Sequence, residues 1–185
     1  MLGIVEDGNN THCITGHILK LWGIGLCLSC FNIARECLLL CNMKSILDIV
    51  IFGKSNYDIS VVSFFKDLNK LSLANTNVND IASVSRCVNL TTLNLSGTKI
   101  TNLSPLTNLL NLYDLDISNT PVSSISPLHA LVNLHFLNVE GTQITDLSPL
   151  NKMDRLNEIN FSNTKVSDLM PLNNMSRLSK VYCDN

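Results

Sequence analysis

The chain has 185 residues, 13 basic against 15 acidic side chains, a formal net charge of −2, and 45% hydrophobic but only 5% aromatic content. These values suit one globular domain, and the near-neutral balance gives no reason to expect a nucleic-acid partner. So few aromatic residues imply a core of aliphatic side chains.

The first 45 residues contain an apolar run, Leu21 to Cys30, that follows Lys20 and resembles a targeting or anchor segment. Glu6 and Asp7 lie upstream, Arg35 and Glu36 end the run, and it is shorter than the ~20 residues a membrane span needs, so a membrane role is disfavoured. The same region holds five of the seven cysteines: Cys13, Cys27, Cys30, Cys37 and Cys41, with His12 and His17 nearby. Cys27-x-x-Cys30 with Cys37 and Cys41 has the makings of a zinc site. The alternatives are burial of these cysteines as small core residues, which the repeat register favours, and disulfides.

From Ile46 onward the chain repeats. Thr76, Thr98, Thr120, Thr142 and Thr164 are 22 residues apart, the mark of stacked units. One unit has apolar residues at Leu90, Leu93, Leu95, Ile100, Leu103, Leu106 and Leu109, and the same offsets recur from Ile46 to Val181. The earliest copy is the most degraded, with Lys54 in the threonine column and Asn56 at an apolar position. Leu93-x-Leu95 is strand spacing, while the return segment spaces its apolar residues by three. Each unit therefore reads as one short strand and one tight or 3₁₀ return. No unit can bury its apolar residues alone, so the copies must stack around a shared core. Seven strands about 4.8 Å apart would make a sheet about 30 Å long.

This pattern resembles leucine-rich repeats of the short 22-residue class found in internalins and phosphatase-regulatory proteins. Threonine stands where that class usually carries asparagine, and phrases such as Ser-Gly-Thr98-Lys-Ile are similar to trypanosomatid repeats. The resemblance implies an α/β solenoid: a right-handed superhelix with a parallel concave sheet and short 3₁₀ or helical turns on the convex side. In the family the asparagine amide bridges neighbouring turns, and a threonine hydroxyl is expected to do part of that job with fewer bonds. The domain boundaries are then 1–45, an N-terminal cap or degenerate repeat with a targeting segment as the alternative, and 46–185, about six full repeats and a final strand.

Two further columns carry backbone information. Gly53, Asn75, Gly97, Asn119, Gly141 and Asn163 precede the threonine column, and these residue types tolerate positive φ best. Pro105, Pro127, Pro149 and Pro171 form another column, with Ser104, Ser126 and Ser148 ahead of three of them; serine caps with proline at the first helical position are expected. Carried backward, the 22-residue register sets Cys27 beside Ile49 and Cys37 beside Ile59, and it assigns Cys87 and Cys183 to core columns. Buried free cysteines point to a reducing compartment, hence a cytoplasmic protein, with a secreted or surface protein as the alternative. Sequons at Asn9, Asn89, Asn94, Asn102, Asn160 and Asn174 bear on that alternative.

The strand residues that alternate with the core leucines should form the binding face. Its middle carries Asp114, Asp116, Asn138, Glu140, Glu158 and Asn160, with Tyr113, His135, Phe136 and Tyr182 beside them. This reads as an acidic surface with aromatic anchors, suited to a protein partner with a basic loop or peptide. A solvated polar sheet face is the plain alternative. Asp114 and Asp116 share a strand face, but the four histidines (His12, His17, His129 and His135) are scattered and no catalytic phrase occurs. The chain is accordingly expected to be a non-enzymatic interaction module or scaffold with no cofactor and no bound metal. The runner-up is a secreted or surface-anchored recognition protein.

Overall fold

The computed structural model describes residues 18–21, 48–51 and 59–184. Eight strands are present among them: β1 (Ile18–Leu21), β2 (Asp48–Ile51), β3 (Lys70–Ser72), β4 (Thr92–Asn94), β5 (Asp114–Asp116), β6 (Phe136–Asn138), β7 (Glu158–Asn160) and β8 (Lys180–Tyr182). They form one parallel sheet in chain order. From β2 to β8 every strand pairs with the next at a 22-residue offset, Asp48 with Lys70 and so on to Lys180. The return segments η1 (Ser60–Phe64), η2 (Ala82–Arg86), η3 (Ser104–Leu106), η4 (Ser126–Leu128), η5 (Ser148–Leu150) and η6 (Met170–Leu172) are all 3₁₀. The structure is thus a solenoid of parallel strands and 3₁₀ turns.

Stacking buries the repeat positions. In the unit that spans β4 and η3, Leu90, Leu93, Leu95, Ile100, Leu103, Leu106 and Leu109 are all buried. Cys87 is buried in the same core, and burial pushes its thiol up to about 11, so it behaves as a small apolar side chain. Cys183 corrects the expectation for its column: it is exposed. Leu169 and Val181 also occupy apolar columns yet are exposed, because no described coil stacks beyond β8. The backward register is corrected as well. The residue paired with Ile49 is Leu19, 30 positions earlier, rather than Cys27. Cys27 and Cys37 themselves, and the Lys54 and Asn56 positions, lie outside the described residues.

The positive-φ column is confirmed at its five described members: Asn75 (58°), Gly97 (65°), Asn119 (54°), Gly141 (65°) and Asn163 (56°). Gly53 lies outside the described residues. Glycine and asparagine alternate here for a reason visible only between coils. A Cβ on Gly97 would lie 2.5 Å from Asn75 Oδ1, and one on Gly141 would lie 2.7 Å from Asn119 Oδ1. Each asparagine side chain thus occupies the space that a side chain on the next coil would need.

The threonine hydroxyls bond within their own coil. Thr76, Thr98, Thr120 and Thr142 are buried and donate to Leu73, Leu95, Ile117 and Val139 carbonyls at 2.6–2.7 Å. Thr164 does the same to Phe161 at 2.6 Å. Amide bridges between coils exist, but in another column: Asn89, Asn111 and Asn133 donate Nδ2–H to the Lys66, Val88 and Leu110 carbonyls at 2.9, 3.0 and 2.8 Å.

Proline stands in the first turn of η3 to η6, as expected. The serines are not the caps. Each begins its segment and donates its own N–H to a side chain two residues earlier: Ser104 to Asn102 (2.9 Å), Ser126 to Ser124 (3.3 Å) and Ser148 to Asp146 (2.7 Å). Asp80 and Asp168 serve Ala82 and Met170 identically. These Asx-type turns start the return segment.

Candidate functional site

A three-residue strand with an inward middle residue presents its first and third side chains on the outer sheet face. In β4 to β7 the middle residues Leu93, Leu115, Leu137 and Ile159 are buried, so the register sets two outward rows. One runs Lys70, Thr92, Asp114, Phe136, Glu158, Lys180; the other runs Ser72, Asn94, Asp116, Asn138, Asn160, Tyr182.

The second row is dominated by Asn and Asp for a local reason. Asn94, Asp116, Asn138 and Asn160 each accept the N–H two residues on, from Ser96, Ser118, Glu140 and Ser162, at 2.9–3.1 Å. These side chains turn the chain at the end of each strand. Sequence reasoning treated the row only as surface; its strict Asx composition from β4 to β7 was the available signal.

An open depression of about 420 Å³ lies across β5 to β8. Seven of the ten sequence-derived site residues line it: Asp114, Asp116, Phe136, Asn138, Glu158, Asn160 and Tyr182, with buried Leu137 also contributing. The other three are tied to that group from outside the lining. Glu140 Oε2 accepts a 3.0 Å bond from Asn160 Nδ2. Tyr113 stacks on His135, with centroids 4.1 Å apart and planes at 20°, and is tilted against Phe136 at 5.4 Å. His129, in contrast, is exposed on the return segment with Nδ1 2.9 Å from the Ser126 carbonyl.

The charges are not equivalent. Lys180 Nζ sits 2.9 Å from Glu158 Oε2, the one salt bridge among the described residues, and Glu158 holds the lysine above its usual pKa by hydrogen bonding and charge. That pair, formed between neighbours of one row, answers the Glu158 charge. Asp114 differs. Its carboxylate accepts no hydrogen bond among the described residues, and its pKa is raised by partial burial first and by the Asp116 charge second, against a lowering by Lys70. Asp114 and Asp116 thus sit together with no salt bridge among the described residues. Among the described residues no three His, Cys, Asp or Glu side chains converge as metal ligands, and no helix is long and apolar enough to cross a membrane.

The sequence matches the pattern of two-copy leucine-rich repeats at residues 66–108 and again at 110–152. Internalin C2 of Listeria monocytogenes superposes with a TM-score of 0.71 and 31% identity, over 77% of this chain and 63% of that one. The chain is a leucine-rich-repeat protein. Its repeats are of the internalin-like type, and a second Listeria monocytogenes internalin matches at 25% identity and a TM-score of 0.65, over 79% of this chain and 56% of that one. The repeat protein thus spans between half and two thirds of the length of these internalins. The ectodomain of a plant receptor kinase from Arabidopsis thaliana shares the fold at 18% identity and a TM-score of 0.65, covering 78% of this chain and 19% of that one. No curated protein is significantly similar in sequence. The leucine-rich-repeat architecture is that of a protein-interaction module.

Proposed function

We propose that the outer face of the sheet, the concave side of the coil, recruits a protein partner without catalysis, and that a basic loop or peptide of the partner places a cationic side chain against Asp114 and Asp116. The observation that supports this reading is Asp114 itself: partly desolvated, beside a second carboxylate, and without a hydrogen-bond donor among the described residues. An arginine or lysine side chain would supply the missing donor and counter-charge together. Phe136 and Tyr182, in the same depression, offer ring faces to the aliphatic stem or the cation. A plant receptor ectodomain of this fold was solved in complex with CASPARIAN STRIP INTEGRITY FACTOR 2, which supports partner binding as a use of such an array.

The test is affinity capture from the native cell, followed by titration of the recovered partner against wild type and the Asp114→Asn, Asp116→Asn double variant. Removing both charges should weaken binding about tenfold at low salt, or 1.4 kcal/mol, and flatten its salt dependence. Equal affinity and equal salt dependence for the two proteins would remove the acidic pair from recognition.

A further inference from the structure

Beyond the acidic depression, one exposed apolar feature repeats with the coils. Val88, Leu110 and Val132 occupy the same position in three successive repeats and are 48%, 52% and 45% exposed. Lys66 and Asp154 hold that position in the repeats on either side, so the apolar ridge is three coils wide. Single exposed apolar residues are ordinary on any protein surface, but three in register on neighbouring coils form one apolar stripe.

We infer that this ridge docks an amphipathic helix of a partner protein, whose basic flank reaches Asp114 and Asp116. The inference rests on the proposed function and specifies the form of the ligand. Three observations favour a helix with that charge. First, two of the three ridge carbonyls are already engaged: those of Val88 and Leu110 accept the Asn111 and Asn133 amides, which favours side chains as the means of contact. Secondly, the spacing suits a helix. Coils about 4.8 Å apart put the three ridge positions over about 10 Å, close to two helical turns of about 5.4 Å each, whereas three same-side residues of an extended strand need about 13.5 Å. Thirdly, the ridge leads into the acidic depression. Tyr113, three residues past Leu110 and 42% exposed, contacts Phe136 in the depression and is followed directly by Asp114. A helix lying across the coils on the ridge would therefore carry its basic residues on the side facing β5.

The test uses the full chain and fluorescence anisotropy with synthetic peptides of about 18 residues, or five turns. One pair carries a leucine stripe with arginines on either one flank or the other; a second pair has two internal prolines; a third has serine for leucine. One arginine-flanked helical peptide should bind. Leu110→Ser with Val132→Ser, both at exposed positions, should weaken it at least about tenfold at any salt, and Asp114→Asn with Asp116→Asn should weaken it chiefly at low salt. Unchanged circular dichroism and an unfolding midpoint no lower than that of wild type would establish that both variants are folded. Loss of the acidic effect alone would refute the basic flank and with it the proposed function, while the ridge would stand. Loss of the ridge effect alone would overturn this inference and leave the acidic reading intact. Equal binding of the proline peptides would overturn the helix, and no binding of any peptide at about 1 mM would overturn the inference as a whole.

Discussion

Replacing Gly97 with alanine tests whether neighbouring coils dictate the alternation of glycine and asparagine. The backbone at Gly97 has φ +65°, and a Cβ there would lie 2.5 Å from Asn75 Oδ1 and 3.4 Å from Asn75 Cγ. Alanine therefore incurs two costs. The left-handed conformation of an alanine is about 1–2 kcal/mol unfavourable, and displacing a packed neighbour adds about 1–3 kcal/mol. The carboxamide is the mobile end of an exposed side chain, which places the second cost toward its lower limit, for a total of about 2–4 kcal/mol. The two costs separate in a double-mutant cycle. Asn75→Gly with Gly97→Ala removes the steric conflict and keeps the conformational penalty, so the pair should be more stable than additivity predicts by about 1 kcal/mol or more. Urea unfolding followed by circular dichroism measures this, with unchanged m-values as the check that a repeat array still unfolds in one step. If Gly97→Ala shifts stability by less than about 0.5 kcal/mol, or Asn75→Gly gives no relief, contact between coils is not what sets the alternation.

Two other side chains make equally direct predictions. Thr120→Val should destabilise by about 1–2 kcal/mol in the same assay, because it removes the 2.7 Å bond to the buried Ile117 carbonyl, and Thr120→Ser should recover part of the loss. Asp114 has a folded-state pKa raised above the ordinary 3.8, so the folded protein holds this proton more tightly than the unfolded chain. Its ionisation therefore costs stability as pH rises through the interval that begins near 3.8, and the cost persists at neutral pH. Asp114→Asn should abolish that component and leave the variant at least as stable as wild type at pH 7; a less stable variant with unchanged pH dependence would contradict the desolvation of Asp114.

The acidic depression was only partly legible in the chain. A strand's alternation of faces identifies Asp114, Asp116, Phe136, Asn138, Glu158, Asn160 and Tyr182 as outward-facing, and a 22-residue register sets them side by side. Neither alternation nor register shows how much of the polarity is already committed. Asn138 and Asn160 turn the chain, Glu140 holds Asn160, and Lys180 neutralises Glu158. The apolar ridge was missed because Val88, Leu110 and Val132 lie outside the core columns, in a column that also holds Lys66 and Asp154, so that only their exposure marks them out.

By itself the sequence determined the coil: its 22-residue length, its strand, the buried leucine columns and the column of positive φ. Each of these depends on local backbone preference or on periodicity, and both repeat with the residues. Only the tertiary structure decided what happens between coils and at their ends. Leu169, Val181 and Cys183 fit the core pattern yet are exposed, and Leu19 rather than Cys27 pairs with Ile49. The Thr120 hydroxyl closes its own coil while the Asn111 amide donates to the Val88 carbonyl of the preceding coil. Burial and hydrogen-bond partnership belong to the neighbour that a residue meets, and no single repeat contains its neighbour.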